Sequence, residues 1–295
     1  MKVTLTLALF LISTLTQALT IGAYNIRNFD YDTRYRIKTN KPALAEIIKK
    51  VEADILAVEE ISNTGEFERF VSANLPGYTV ALSRCGGRGQ HHLGFIYKSN
   101  SVEMLSFNED LSITDPGGNV GCDTSSRPLV IALFRDLQTN KKFYGLAAHL
   151  KAGSARDAVS KRHEQLDIIS NWISHLKTST GIQDYFVAGD LNTTLFYNHG
   201  VDFRALEKFA ANNGLVNATQ SVGCSSYWWG GTNDDIEDPS LIDHVFVSRS
   251  MISKRGYTAK VGSHCLEASC RSQEKRKLGV SYNQVSDHCP ISASF

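Results

Sequence analysis

The side chains in this sequence that could do chemistry stand at the ends of short apolar runs. Examples of such runs are ILAVEEI, FYGLAAHL and YFVAGDL, each bounded by polar or glycine-containing segments, as is typical of strands. A charged side chain in such a run is costly to bury unless it is paired or binds a metal ion. The residues concerned are Asn25, Glu59, Glu60, His149, Asp190, Asn192, Asp243, Asp287 and His288.

Carboxylates and imidazoles at strand ends are suited to hydrolysis assisted by a metal ion. Glutamate and aspartate oxygens bind Mg²⁺, and a neutral imidazole accepts a proton from water near pH 7. In FVAGDLNTT, the alternation of side chains along an extended chain puts Asp190 and Asn192 on one side. A carboxylate and an amide placed together in this way could hold a water molecule or a phosphate oxygen.

Two pairs of neighbouring residues constrain how such a site is built. Glu59 and Glu60 are adjacent, so only one of them is expected to face a shared site. Asp287 and His288 are also adjacent and point to opposite faces, so the partner of His288 must lie elsewhere in the chain. Taken singly, these residues also have structural explanations, namely a strand edge for the glutamates and a structural role for His149.

The elements that must position these residues are mostly strands, with a few helices between them. KPALAEIIKKVEA carries one apolar stripe and has a proline near its start, which predicts a helix. Apolar spacing predicts further helices over 154–177 and over 202–213, the second of which ends at Gly214. Because no linker, low-complexity tract or repeat divides the chain, residues 19–295 are predicted to form one layered α/β domain.

The N-terminus has the layout of a cleavable secretory signal. Lys2 is followed by VTLTLALFLISTL, which is too short to span a bilayer, and then by TQA ending at Ala18. Residues 1–18 are therefore predicted to be a signal peptide and the product to be secreted or periplasmic; a buried first strand is the alternative. No later run approaches the ~20 apolar residues of a membrane span, so we expect no stable membrane association. We also expect a monomer.

The cysteines fit an exported protein. Their number, six, is even, and an oxidising compartment favours disulfides. A zinc site is the competing interpretation, but the sequence contains no CxxC pair. The connectivity stays open at this stage. The residues are Cys85, Cys122, Cys224, Cys265, Cys270 and Cys289.

The charge of the chain is close to balanced. A formal net charge of +1 argues against a protein that coats nucleic acid by charge alone. Two basic segments near the C-terminus, SKRGYTAK and RSQEKRK, either contact nucleic acid or form a solvated face. The acidic loop NDDIED, residues 233–238, is either a site for a structural Ca²⁺ or a plain loop.

Taken in chain order, the motifs N…E…H…GDLN…D…SDH resemble the endonuclease/exonuclease/phosphatase superfamily. These are metal-dependent phosphodiesterases that include the deoxyribonuclease I family. The resemblance runs from Asn25 to His288, and HLKAGS and SRPLV look most like the deoxyribonuclease branch. It implies a four-layered α/β sandwich, in which two mainly antiparallel sheets pack face to face with helices outside.

The resemblance also implies a role for each site residue. The cofactor would be Mg²⁺, with Mn²⁺ as an alternative, and its ligands would be Asn25, Glu60 and Asp287. The residues that hold the phosphate or the attacking water would be Asp190 and Asn192. The catalytic histidines would be His288, paired with Asp243, and His149. The residues that contact the DNA substrate would be Arg127 and Tyr97.

The sequence departs from the family pattern in two places. Glu59 stands where family members commonly have glutamine. RCGGRGQHHLGFIYK stands where deoxyribonucleases commonly place a tyrosine that contacts DNA and an acid that supports a histidine. Tyr97 is either that tyrosine or a strand-packing residue, His91 and His92 are expected to be loop residues, and no acid is evident as a partner of His149.

The resemblance leaves three functions to compare. The leading hypothesis is an exported metal-dependent endonuclease that cuts DNA with little sequence preference. The alternative is a secreted, sphingomyelinase-like phospholipid phosphodiesterase, for which Trp228 and Trp229 in SSYWWGG could supply an exposed aromatic loop; we expect these tryptophans to pack in the core instead. A non-catalytic binding protein on the same scaffold should have lost metal or histidine positions, and all of them are present here.

Overall fold

Two six-stranded sheets form the centre of the protein. A computed structural model describes residues 18–194, 196, 200–232, 234–252 and 256–295, so the predicted signal peptide lies outside the described residues except for its last residue. The strands are β1 (Thr20–Phe29), β2 (Tyr31–Asp32), β3 (Ile37–Lys38), β4 (Ile55–Ile61), β5 (Tyr78–Leu82), β6 (His92–Lys98), β7 (Val102–Asp110), β8 (Leu129–Asp136), β9 (Lys142–Ala147), β10 (Tyr185–Asp190), β11 (Leu215–Asn217), β12 (Ser226–Trp228), β13 (Ile236–Ser240), β14 (Asp243–Ser248), β15 (Thr258–Val261), β16 (Gln273–Glu274) and β17 (Ile291–Ser294). The α-helices are α1 (Lys41–Val51), α2 (Thr64–Asn74), α3 (Arg156–Thr180), α4 (Val201–Asn213), α5 (Ser263–Glu267) and α6 (Gly279–Gln284).

The two large sheets are built on the same plan. Their strand orders are β15-β17-β1-β4-β6-β5 and β11-β14-β10-β9-β8-β7. In each sheet the central pair, β1 with β4 or β9 with β10, is parallel, and the other neighbours are antiparallel. The expectation of two mainly antiparallel sheets is confirmed.

The core between the sheets follows from the alternation of side chains along the strands. Ile21 and Ala23 of β1 share one buried cluster with Phe186 and Ala188 of β10, so the inner rows of the two sheets pack against each other. The residues between them point outward and pack against helices. Leu44 and Ile48 of α1 lie in the outer cluster of the first sheet, with Phe67 of α2. Helices α3 and α4 cover the second sheet.

The predicted helices and the predicted formation of disulfides agree with the structure. The helices expected from apolar spacing are α1, α3 and α4, and the left-handed residue that ends α4 is Gly214. All six cysteines form disulfides, which join Cys85 to Cys122, Cys224 to Cys270, and Cys265 to Cys289. Within the described ranges, no helix combines the length and the apolar character that crossing a bilayer requires.

Candidate active site

The polar residues meet where the central strands of both sheets end. Asn25 continues the inward-facing row of β1 after Ala23, and Asp190 continues that of β10 after Ala188. Asp243 begins β14 and is paired with Asp190 across the two strands. Because carboxyl ends of parallel strands form a crevice at the edge of a sheet, both parallel pairs bring polar side chains from their carboxyl-terminal halves to one place.

Both adjacent glutamates reach this place, which corrects the expectation that only one could. Glu59 continues the inward row of β4 and is fully buried, and neither of its carboxyl oxygens has a hydrogen-bond partner among the described residues. Glu60 would point outward on a regular strand, but its backbone has φ of 58°, which turns the side chain into the crevice. Gly189 makes room for Glu59, since a Cβ there would lie 2.8 Å from Glu59 Oε1. Burial, together with the charge of Asp243, raises the pKa of Glu59 well above its usual range.

His288 and Asp243 form a hydrogen-bonded pair. His288 Nδ1 lies 2.9 Å from Asp243 Oδ2, and Ser225 Oγ donates to the same oxygen at 2.7 Å. The other ring nitrogen, Nε2, faces the crevice and lies 3.9 Å from Asp190 Oδ2. Burial disfavours the charged form of His288, but the carboxylate of Asp243 outweighs it and holds the pKa of His288 well above its usual range.

His149 faces the same carboxylate oxygen. Its Nε2 lies 3.3 Å from Asp190 Oδ2 and 4.0 Å from Glu60 Oε1, whereas its Nδ1 has no partner in the described part of the chain. Burial and the positive charge of Arg127 hold the pKa of His149 well below its usual range. His149 is therefore neutral at pH 7.

The donor set of the crevice fits a hard divalent cation. The Asn25 amide donates to Asp190 Oδ2 at 3.0 Å and to Glu60 Oε1 at 3.3 Å, so the two carboxylates converge on one point. Burial and the repulsion from Asp243 raise the pKa of Asp190 to about 7. Ligand atoms of Asp190, Asp243 and His288 also lie within 4.8 Å of one another. A cation held by Glu60 and Asp190 would relieve this concentration of buried carboxylates.

Arg127 lies in the crevice, and so does His91, which the sequence placed in a loop. Arg127 Nη2 lies 3.9 Å from Glu60 Oε1 and 3.2 Å from His91 Nδ1. The His91 backbone N–H donates to Gly86 O at 2.8 Å, which closes the glycine-rich loop and brings the ring back over the site. The sequence shows a histidine at the end of a glycine-rich loop, just before β6. The direction of the His91 side chain depends on the closure of that loop, which the sequence pattern does not predict.

Asn192 joins the ends of two strands beside the site. Its backbone N–H donates to Asp190 Oδ1 at 2.9 Å, and its side-chain amide donates to Leu150 O at 3.2 Å, one residue past His149. Its φ of 51° is in the left-handed region, which asparagine tolerates better than most residues. Asn192 thus holds Asp190 and His149 in register.

A family model decides how these residues are related to known proteins. The model described as the endonuclease/exonuclease/phosphatase family matches residues 22–288. The chain belongs to this family. Its enzymes hydrolyse phosphoester bonds and typically depend on a divalent metal ion. No curated protein sequence matches the chain significantly.

Solved structures of the endonuclease/exonuclease/phosphatase family share the fold. A member from Bacteroides vulgatus is 21% identical with a TM-score of 0.62, and the match covers 94% of this chain and 97% of that one. The mannosyl-6-phosphatase Bt3783 of Bacteroides thetaiotaomicron is 16% identical, with a TM-score of 0.61 and coverage of 94% and 98%. D. rerio TDP2 complexed with a single-strand DNA product is 15% identical, with a TM-score of 0.59 and coverage of 94% and 98%. At these identities the likeness establishes the shared fold alone.

Of the residues assigned to the site from the family resemblance, Tyr97 lies elsewhere and Asp287 lies at the border of the crevice. Tyr97 pairs with Ile55 at the opposite end of β4 from Glu60, and its ring packs against Phe134 in the core at 5.7 Å. Five residues of strand span roughly 16 Å, so Tyr97 is a packing residue and lies outside the crevice. Asp287 lines an adjoining cavity, where its Oδ1 is buried with no hydrogen-bond partner among the described atoms.

The tryptophans of SSYWWGG are exposed and not packed in the core. Tyr227 is buried, but Trp228 and Trp229, which were expected to pack in the core, are 48% and 59% exposed. Alternation along β12 puts Tyr227 and Trp228 on opposite faces, so burying the tyrosine exposes its neighbour. Both tryptophans line the cavity that Asp287 borders.

Proposed function

We propose that this protein is a divalent-metal-dependent phosphodiesterase that hydrolyses DNA with little sequence preference. One observation carries the proposal. Two imidazoles of opposite electrostatic character, His288 and His149, face the same oxygen of Asp190 at 3.9 and 3.3 Å. A phosphate bound in this crevice would have a proton acceptor on one side and a neutral hydrogen-bond donor on the other.

In this proposal His288 is the general base. Asp243 fixes the imidazole with Nδ1–H directed at its carboxylate, so that Nε2 is free to accept a proton from the attacking water. The charge of Asp243 then stabilises the imidazolium that forms. General-base catalysis of this kind contributes typically ~10²–10⁴-fold.

His149 and Arg127 act on the developing negative charge of the phosphate. Arg127 is nearly buried and lies on the same side of Glu60 as His149, so its charge acts in a poorly solvated place. His149, being neutral, donates a hydrogen bond to a phosphate oxygen and so stabilises the charge that develops there.

The residues that would hold the metal ion are Glu60 and Asp190, with Asn25 between them. Mg²⁺ is our proposal, with Mn²⁺ as the alternative, because the donors are hard oxygens. When bound, the ion neutralises charge on the phosphate as it builds up. Asp287 and Asn192 keep their proposed roles near the metal and the phosphate, respectively.

Two observations bear on the substrate. TDP2 of D. rerio, one of the structures that share this fold, was solved with a single-strand DNA product. The basic segments give weaker support for nucleic-acid binding than their composition suggests, because Arg276 and Lys277 pair with Glu274 at 2.6 and 2.5 Å. Three residues of SKRGYTAK lie outside the described ranges. The exposed tryptophans favour one further candidate, the phospholipid phosphodiesterase.

We also propose that the protein is exported as a single domain spanning residues 19–295. Three disulfides favour an oxidising, extracellular or periplasmic environment. The signal peptide, residues 1–18, is proposed on the sequence alone.

Supercoiled plasmid tests the proposed function directly. The mature protein is incubated with plasmid, with Mg²⁺ and again with EDTA, and in parallel with sphingomyelin. Nicking that requires the metal is expected. An intact plasmid with cleaved sphingomyelin would transfer the proposal to the phospholipid enzyme, and no cleavage of either would favour a binding protein.

A further inference from the structure

A cavity of about 470 Å³ adjoins the crevice and has no part in the mechanism above. Its size lies in the range of sites for small ligands. Flat and cationic side chains predominate in its lining, with Asp287 at the border towards the crevice. The aromatic residues among them are Tyr35, Tyr227, Trp228, Trp229 and Tyr282, and the cations are Arg27, Arg34 and Lys275.

The aromatic surface of this cavity is open, and cations surround it. Tyr35, Trp228 and Trp229 are 50%, 48% and 59% exposed. The guanidinium of Arg34 lies 5.1 Å from the Tyr35 ring centre, and Lys275 Nζ lies 5.7 Å from it. No carboxylate of the described residues forms an ion pair with Arg34. Its charge is therefore free to meet an anion.

The hairpin that carries the tryptophans is tied to the catalytic segment. Ser226 forms a β-bridge with His288, and the Tyr227 N–H donates to Asp287 O at 2.9 Å. Trp228 is two residues beyond Ser226, or about 7 Å along the strand. A group stacked on Trp228 therefore lies next to a phosphate held at His288.

We propose that this cavity binds an unpaired nucleotide that flanks the scissile phosphate, with its base stacked on Trp228, Trp229 or Tyr35 and its phosphate at Arg34. The inference rests on the proposed function and narrows it to single-stranded or locally opened nucleic acid. Bases within a duplex are stacked on each other, so their faces are not available to side chains.

The lining of the cavity favours a nucleotide over a lipid surface. Membrane insertion needs an apolar loop that projects, whereas these rings line a concave site together with Arg34, Asn283 and Glu237. Glu237 is a buried residue, and its carboxylate lies 3.8 Å from Lys275 Nζ. Polar groups of this kind can bond to the edge of a base, but they would have to be desolvated under lipid.

Binding without turnover tests the inference separately from the enzyme activity. In EDTA, fluorescence anisotropy measures the affinity for a short labelled oligothymidylate, its RNA counterpart, a blunt-ended DNA hairpin and sphingomyelin vesicles. We expect the single strands to bind better than the hairpin. The double variant Trp228→Ala/Trp229→Ala and the separate variant Tyr35→Ala should each weaken that binding about 10-fold or more, since stacking on an aromatic side chain is worth about 1–3 kcal/mol per base.

Tyr257→Ala provides the matched control, because Tyr257 is 38% exposed and packs on Phe295 away from the cavity. It should bind like the wild type. Equal affinity of the cavity variants and the wild type for the oligonucleotide would overturn the inference even if plasmid nicking persists. A wild-type protein that binds the vesicles and not the oligonucleotide, together with cavity variants that no longer bind the vesicles, would also overturn the inference. That result would indicate a lipid site. Failure of the proposed function would show instead as an uncut plasmid.

Discussion

At the level of single residues, the two histidines of the crevice stand in opposite electrostatic surroundings. Asp243 accepts from His288 and favours its cation, whereas burial and the neighbouring Arg127 favour the neutral form of His149. Two titratable groups pushed in opposite directions are the usual arrangement for a base and an acid or donor in one site. This difference is what allows the roles of His288 and His149 to be assigned.

Removing either imidazole should therefore abolish most of the activity while leaving the fold intact. We expect His288→Ala and His149→Ala each to lower kcat by roughly 10²–10⁴-fold, because each removes one proton-transfer or charge-stabilising group. The measurement is plasmid cleavage with circular dichroism as the check on folding. His175→Ala, in an exposed position on α3, is the control and should cleave normally. Near-full activity of either site variant would remove that histidine from the mechanism.

The pairing of Asp243 with His288 should be visible in the pH dependence of the reaction. As a base His288 must be neutral, and its pKa is raised, so activity should increase as the pH rises through that raised pKa. Asp243→Asn removes the charge that raises the pKa, while burial still lowers it, so the rising limb should move to lower pH. kcat should fall as well, because the amide stabilises the imidazolium less well. If the rising limb of kcat against pH in Asp243→Asn stays at the wild-type pH, His288 is excluded as the titrating base.

At the level of elements, alternation along the strands explains which site residues the sequence could predict. Asp190 and Asn25 end inward-facing rows, so a regular strand is enough to place them. The inward direction of the Glu60 side chain results from a positive φ that breaks the alternation, and no pattern of residues predicts that φ. The exposure of Trp228 depends on which face of a short hairpin finds a tertiary partner. Local patterns thus predict strand ends, but they do not predict irregular backbone or the packing of a hairpin.

The loop that follows His149 is held by α3 through two buried side chains, Arg162 and Gln165, and Gln165 Oε1 accepts from the Lys151 N–H at 2.9 Å. Arg162 is 1% exposed, and its guanidinium donates to Lys151 O at 2.8 Å and to Gly153 O at 2.6 Å. It also pairs with Asp202 of α4 at 2.6 Å. The position of His149 is therefore coupled to the contact between two outer helices.

Arg162→Leu should lower both stability and activity. Loss of the guanidinium leaves the buried carboxylate of Asp202 with His163, at 3.1 Å, as its remaining ion-pair partner, so the cost should lie below the roughly 3–5 kcal/mol of a fully unpaired buried charge. It also frees the loop that positions His149. Urea unfolding and kcat measure the two effects. The double variant Arg162→Leu/Asp202→Asn should recover part of the stability, because no buried charge is left unpaired, but not the activity. Lys208→Ala, an exposed cation of α4, is the control; a stability loss as small as that of the control would contradict the coupling.

At the level of the whole molecule, burial of neutral imidazoles links stability to pH. His244 is fully buried, and the Asn217 amide donates to its Nδ1 at 3.1 Å. The direction of that amide is fixed because Asn217 Oδ1 accepts from the Thr219 N–H at 3.2 Å. Nδ1 must therefore be unprotonated, and the proton on Nε2 faces Thr193 Oγ1 at 2.7 Å. This network holds His244 in its neutral form, and burial lowers its pKa to about 3.

The folded protein should therefore lose stability as the pH falls below about 6.5, the usual pKa of histidine in an unfolded chain. Below pH 6.5 the unfolded chain binds a proton at His244, whereas the folded protein does not bind it until about pH 3. The contribution of His244 to the free energy of unfolding is therefore fully present above pH 6.5 and is lost progressively towards pH 3. Between pH 7.5 and pH 5 the expected loss from this residue is about 2 kcal/mol. Urea unfolding in EDTA at both pH values measures it, with His244→Gln as the comparison, since glutamine offers a donor and an acceptor but does not titrate. The variant should lose about 2 kcal/mol less than the wild type over this interval; equal losses would show that the imidazole of His244 accepts a proton in the folded state.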